Sequence, residues 1–367
     1  MSAPRHARRA PGVALISALL IAAVIAGVAV ILAKRQQFAS ANASQLSVAL
    51  RAEHLVMELE IQAMSVLQED LQHGPIDSAN DAWAHADLRA EGGGLSAEGR
   101  LLDLQGRFNL TTLAFDPAAL AALAASPEAS EDGSAEGGLA AAALRGVAAA
   151  AGVELGGAAP AGPAGRPRAL SPQQVATVRF VLLLQALEID PVMVPAVLDW
   201  LDPDSEVRFP NGAEDAYYGA LPVAYRAANH RLVDPGELLA VRGVTPAIDA
   251  KLRPFVTVLD QAIPLNINTA PTEIFMSLTP GIERTQAERL LDARAAQPFT
   301  MAGSLATSPL LLGLPFAVSG LATASSTFEL QVRVRGEGPP KLFRSLIRRN
   351  GNTDIQLLGR QQIYVED

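Results

Sequence analysis

The chain has 367 residues, 49% of them hydrophobic, which is enough for one or two domains with ordinary cores. Asp and Glu outnumber Lys and Arg by 38 to 29, a formal net charge of −9, and this balance argues against nucleic acid or an anionic lipid surface as the main partner. Cysteine is absent, so disulfides and thiolate metal sites are excluded and stability outside the cytoplasm rests on packing or bound ions.

Residues 1–12, MSAPRHARRAPG, carry Arg5, Arg8 and Arg9 and no acid, and the run from Gly12 to Ala33 that follows holds no charge. At about 1.5 Å per residue it reaches the ~30 Å of a bilayer core, which predicts a membrane helix over 13–33. The basic cluster in front stays cytoplasmic and sends the rest outward, with Lys34 and Arg35 at the outer interface. A cleaved secretory signal ending at Ala41 or Ala43 is the alternative, but its apolar region is typically about 7 to 15 residues. Beyond the membrane the helical pattern persists. Leu55, Leu59, Met64, Leu67 and Leu71 recur three to five apart on one face, with Arg51, Glu53, Glu58 and Glu60 largely elsewhere, until Gly74-Pro75 stops it. No breaker pair separates the two segments, so one helix of about sixty residues, roughly 90 Å, is expected, its outer half the spine of a head.

This layout resembles the leader and first helix of type IV pilins and type II secretion pseudopilins. The resemblance implies a cut after Gly12 by a prepilin peptidase in the membrane and methylation of the new N-terminus, Val13. Where the family usually has Glu at the fifth mature position, this chain has Ser17. A carboxylate inside lipid is tolerated only when paired, and in pilins it is thought to meet a neighbouring subunit's amine. Among pseudopilins its absence marks the large minor K-type subunit, placed at the filament tip.

Residues 34–116 are expected to complete the long helix and the first sheet region. Leu101 and Leu104 fit a short strand, Gln105-Gly106 a turn, and Phe108-Asn109-Leu110 a buried piece. The string from Asp103 to Asn109, DLQGRFN, resembles the stretch that follows the long helix in K-type pseudopilins. Residues 117–170 are dominated by Ala, Gly and Pro and read as a flexible insertion with a short helix at Leu139 to Ala151. Ser171-Pro172 then caps a helix through Ile189. Further helices are expected at 192–201, 221–227, 234–241, 247–258, 271–278 and 285–295, so that 171–300 forms an inserted α-helical domain. In 301–367 the alternation Phe328, Leu330, Val332, Val334, with turns at 336–340 and 350–352 and strands at 342–347 and 355–365, predicts an antiparallel meander. The fold class is α+β: a pseudopilin fold with a long N-terminal helix packed on an antiparallel sheet, interrupted by a large inserted helical domain.

The densest acidic stretch runs from Asp199 through Asp202, Asp204 and Glu206 to Glu214 and Asp215. Hard cations need six to eight oxygens, and a loop between helices can wrap them. The spacing does not match an EF-hand, and a solvated acidic loop is the competing reading. Asp-Trp-Leu-Asp and Gly-Ala-Glu-Asp-x-x-Tyr resemble strings of K-type pseudopilins, whose helical domain binds calcium; the resemblance implies structural calcium held by Glu214 and Asp215, then Asp202 and Asp204. A second constellation, Leu265 to Arg294, looks like a helix-hairpin-helix, with Arg284, Arg289 and Arg294 facing a DNA backbone. That is the basis of an alternative, a membrane-anchored DNA-uptake protein. Glu283 beside the would-be phosphate site opposes it, and the second reading there is packing, with Asn266 or Asn268 as caps and Leu278, Ile282, Leu290 and Leu291 buried. The five histidines form no catalytic motif, so no enzyme is expected. The resemblance implies a noncatalytic subunit, single-pass in the inner membrane with its head in the periplasm, whose partners are the other minor pseudopilins, the major pseudopilin and prepilin peptidase, with no nucleic acid.

Overall fold

The computed structural model describes residues 11–114, 135–155, 170–336, 338–351 and 354–363. Most of the leader and most of the Ala/Gly/Pro-rich stretch expected as a loop lie outside them. Helix α1 runs unbroken from Pro11 to Asp70. Among the described residues it is the one helix long and apolar enough to cross a membrane; its most apolar window has a mean hydropathy of 3.0 and none of it is buried by the rest of the chain. In the outer half Ala52, Leu55, Val56, Leu59, Ala63 and Leu67 are buried, and their spacing of three and four places them on one face.

That face covers a sheet. Strands β1 (Leu88–Gly92) and β2 (Leu95–Asp103) form a hairpin closed by Gly93 and Gly94, whose φ angles of 58° and 80° suit the two-residue turn that glycine permits. The LRAEG of β1 alternates buried Leu88 and Ala90 with exposed Arg89 and Glu91, but over only five residues, and the sequence alone suggested a single strand here. The chain then leaves the sheet for a second body. It contains β3 (Phe108–Asn109), α2 (Ala135–Ala150), α3 (Pro172–Ala186), α4 (Val194–Leu201), α5 (Asp215–Tyr218) and α6 (Pro246–Leu252). Next come β4 (Val256–Thr257), β5 (Leu265–Asn266), α7 (Thr272–Met276), α8 (Arg284–Ala296), α9 (Gly303–Ala306) and β6 (Leu321–Ala322). It returns as β7 (Thr327–Arg335), β8 (Lys341–Asn350) and β9 (Asp354–Ile363). Among the described residues the main sheet has five strands in the order β1-β2-β7-β8-β9, all antiparallel.

Two cores result. One lies between α1 and the sheet, with Leu59, Leu67, Leu101, Phe328, Leu330, Val332, Phe343 and Ile347. The other is helical and runs from Phe108, Leu110 and Leu113 through Phe180, Leu183, Trp200, Tyr218 and Phe275 to Leu321. Residues 108–114, grouped by sequence with the first sheet region, and 302–321, grouped with the meander, both pack in the helical core. The reason is that β3 pairs with β4 and β5 with β6 in parallel, two residues each, pairings too short to leave a periodic signal. Three further expectations change. Residues 221–227 are irregular rather than helical, with Pro222 inside the segment and the Ala227 amide donated to Asp215. The helix expected over 247–258 ends at Leu252, before Pro254. Glu60 faces inward, 2% exposed, where it accepts hydrogen bonds from Ser345 Oγ (2.5 Å) and Arg360 Nε (2.8 Å).

The two cores meet at Asp103, the last residue of β2. Its Oδ2 accepts from Thr269 Oγ1 (2.5 Å), Ser325 Oγ (2.6 Å) and Asn266 Nδ2 (3.1 Å), and its Oδ1 from the Gln105 amide (2.8 Å). Beside it, Arg349 of β8 joins Asp70 at the end of α1 to Asp77 and the Ser325 carbonyl. Replacing Asp103 with Ala orphans several buried donors, each worth about 1 kcal/mol or more. D103A is therefore expected to lose about 3 kcal/mol or more in urea unfolding of the detergent-solubilised chain, and an unchanged midpoint would contradict the assignment of this junction.

Candidate metal centre

The acidic stretch becomes a site because α4 and α5 are joined by a loop that folds back on itself. Helix α4 is buried on every side and is followed by Asp202 as its C-cap, with Asp199 in its last turn. The Asp199 carboxylate accepts the Arg208 amide at 3.2 Å and faces Arg208 Nε at 3.2 Å, while Arg208 Nη2 donates to Asp202 Oδ2 at 2.7 Å. Gly212 seals the turn: a Cβ there would stand 2.2 Å from Asp199 Oδ2 and 2.5 Å from the Arg208 carbonyl, so no side chain fits. Arg242 clamps the other side, donating to the Gly212 carbonyl (2.9 Å) and lying over the Tyr217 ring. Trp200, Tyr218 and Tyr225 form the aromatic floor, Trp200 meeting Tyr218 edge-on and Tyr225 stacking on it.

Within this frame Asp202, Asp204 and Glu214 each present a carboxylate oxygen, all within 4.8 Å of one another. Both Glu214 oxygens and Asp202 Oδ1 are buried without a hydrogen-bond partner. Burial raises the Glu214 pKa to about 7, with Asp199, Asp202, Asp204 and Asp215 adding repulsion. Burial likewise raises Asp199 to about 6, against the pull of Arg208, and raises Asp202. Arg208 balances only part of this negative charge. Orphaned carboxylate oxygens facing one another are what an oxygen-coordinated dication would satisfy, and the donor set fits a hard ion such as calcium.

Asp215, a first choice from sequence, is not in this trio. It is half exposed, heads α5, and accepts the Ala227 amide at 3.0 Å. Sequence reasoning began the acidic stretch at Asp199 without giving it a role, and passed over Arg208, which shapes the loop with it, and Asn229, which donates to the Asp204 carbonyl at 3.0 Å from a left-handed conformation, φ 49°. The three-residue spacing of Asp199 and Asp202 on a helix was the available signal. A second trio, Asp70, Asp77 and Asp81, differs in kind, because Arg349 bonds the first two and Ser78 donates to Asp81 at 2.6 Å.

The helix-hairpin-helix stretch is knitted into the protein. Arg294 donates to the carbonyls of Ile267 (2.9 Å) and Ala270 (2.6 Å) over the Phe275 ring, Arg284 pairs with Glu273, and Glu283 caps α8 through a reciprocal bond with Gln286. Leu278, Ile282 and Leu290 are buried. Asn266 and Asn268 serve the junction, Asn268 donating to the Phe299 carbonyl at 2.8 Å.

A long N-terminal helix laid on an antiparallel sheet, with a helical body inserted between its strands, defines a pilin-like subunit with an enlarged head. The same architecture occurs in the GspK-GspI-GspJ complex from the type 2 secretion system of enterotoxigenic Escherichia coli, one chain of which matches 88% of this chain over its full length with a TM-score of 0.66 at 20% identity. Two family models, both described as type II secretion system (T2SS), protein K, match residues 106–261 and 265–325. Type II secretion system protein K of Pseudomonas aeruginosa is 28% identical over 360 residues, covering 95% of this chain and 92% of the relative. That of Aeromonas hydrophila is 28% identical over 274 residues, 72% and 69% of the two chains. The chain belongs to the type II secretion system protein K family and is a minor pseudopilin of that system.

The raised Glu214 pKa has a signed consequence. Protonation favours the folded chain, so without a cation this stability is complete below the ordinary carboxyl pKa of 4.5 and is lost as pH rises to about 7. A calcium ion bound among these carboxylates would replace the proton, and its stabilisation would then grow over the same window. Thermal unfolding with calcium or with chelator across that range tests this, with Glu214→Gln expected to abolish most of the calcium increment. A chelated chain with a flat profile, unmoved by calcium, would refute the site.

Proposed function

We propose that this pseudopilin caps and primes the tip of the periplasmic filament that exports folded proteins, as a noncatalytic structural subunit. The observation that carries the reading is the pairing of one bare helix with one oversized head. The apolar part of α1 is unburied by its own chain, and beyond the membrane Leu46, Leu50, Met57 and Ile61 continue an exposed stripe at spacings of four, seven and four, on the side away from the sheet. Such a stripe suits lateral packing with like helices. The second helical core adds bulk that would obstruct another subunit stacking above, and Ser17 offers no carboxylate for a neighbour's amine.

The partners that fit are the other minor pseudopilins, in keeping with the E. coli complex in which GspK is assembled with GspI and GspJ, and the major pseudopilin below. Prepilin peptidase would cut after Gly12 and leave methylated Val13 at the inner-membrane end of α1, with the head in the periplasm. In the head, Asp202, Asp204 and Glu214 would hold a calcium ion, which supplies positive charge to a loop without disulfides; Arg208 and Arg242 orient that loop, and Asp199 anchors it. The DNA-uptake reading is weakened by Arg294, spent on the carbonyls of Ile267 and Ala270, and by the surface pairing of Arg284 with Glu273, which leaves Arg289 as the exposed arginine of that stretch with no partner among the described residues.

Mass analysis of the membrane-extracted protein is expected to show a mature chain starting at methylated Val13; a start beyond Ala41 would remove the filament role. Ile61→Arg is expected to leave the melting temperature of the isolated chain within about 1 °C, because Ile61 is exposed, while reducing capture of partner pseudopilins at least about tenfold. Unchanged capture would exclude the stripe as an assembly face. Gold labelling of the head is expected at one filament end, and even labelling along the shaft would exclude the tip.

A further inference from the structure

Midway along α3, Arg179 is a buried cation with no acid paired to it among the described residues. It is 6% exposed. Its Nη1 donates to the Ser319 carbonyl at 2.6 Å and its Nη2 to the Ala317 carbonyl at 2.5 Å, while its buried Nε has no partner. Burial depresses its pKa, to about 10, and no carboxylate among the described residues opposes that depression. The guanidinium is therefore charged at neutral pH, with two carbonyl dipoles as its compensation among the described residues. A buried charge lacking a counter-charge is among the costlier features an interior can hold.

Arg179 lines a cavity of about 30 Å³, walled otherwise by Phe108, Ala176 and Leu278 with Asn109, Thr112 and Ser277. The polar walls are already committed. Asn109 Nδ2 donates to the Gln261 carbonyl, Thr112 Oγ1 to the Asn109 carbonyl and Ser277 Oγ to the Ile274 carbonyl. The open polar group in the chamber is thus the cationic side chain of Arg179. Half-buried Pro172, Ile263 and Gly320 form its rim toward solvent. The space suits a solute of about the size of one water. A neutral water would leave the charge uncompensated, and a tetrahedral oxoanion needs more room and more donors than this chamber offers.

We infer that the cavity beside Arg179 is a binding site for a single monatomic anion of the halide class, a counter-ion for the helical core. Its occupant ties α3 to the segments bearing Asn109, Ser277 and Gly320, all drawn from different parts of the chain. Binding only to the folded state links stability to halide concentration.

The test is thermal unfolding of the full chain in nonionic detergent at fixed calcium, titrated with sodium chloride or bromide against sodium gluconate at equal ionic strength. Above the dissociation constant the melting temperature is expected to rise on the order of 3 °C per tenfold halide, gluconate having no such effect, and Arg179→Met is expected to abolish the response. Equal responses to halide and gluconate, or a halide response that persists in R179M, would overturn the proposal. Should R179M not fold, crystals grown in bromide decide: an anomalous peak in the cavity supports the site, and its absence there overturns it.

Discussion

The structure depends on one buried carboxylate. Asp103 ends the strand that carries the chain out of the sheet, and its two oxygens receive four donors from three places: its own turn, the β5–α7 segment of the helical body, and the approach to the returning strand. A side chain satisfied in this way cannot be relocated without stranding its partners. Directly beneath, Arg349 holds the end of α1 to the same place through Asp70 and Asp77. The long helix, the sheet and the helical body are thereby fixed to one another at a buried polar junction between two cores, with Arg348–Asp260 and Asn80 to the Ala295 carbonyl as further links nearer the surface.

Periodic features were legible in the sequence and non-periodic ones were not. The long helix and the C-terminal meander showed in their spacing, and the observed strands β7, β8 and β9 fall within a few residues of the predicted ones. Strand β1 was missed because its alternation, Leu88 and Ala90 against Arg89 and Glu91, lasts only five residues and rests on one large apolar side chain. The limits of the helical body were misplaced because two-residue parallel pairings draw in residues 108–114 and 302–321 from outside the run of helices. Glu60 looked like a surface acid because its partner, Arg360, is 300 residues away along the chain.

The acidic loop shows the same division. Its density of carboxylates was visible, and Asp202, Asp204 and Glu214 do converge. Which oxygens would lack partners depended on Arg208 and Gly212, whose roles are set by tertiary closure of the loop, and Asp215 lies outside the trio. A first-turn acid next to a buried one reads alike in sequence, yet one heads a short helix facing solvent and the other turns inward.

Where the helical body joins the sheet, its entrance and exit are neighbours: Asp103 lies opposite Phe328 in the β2–β7 ladder, and the Leu104 amide donates to the Thr327 carbonyl. To the sheet, everything between is one loop whose ends are already closed, and the entropy of closing a loop grows only slowly with its length. The body is thus a graft on a pilin scaffold, free to enlarge, shrink or diverge over evolutionary time without disturbing strand register, provided the graft keeps the few side chains that grip its stem.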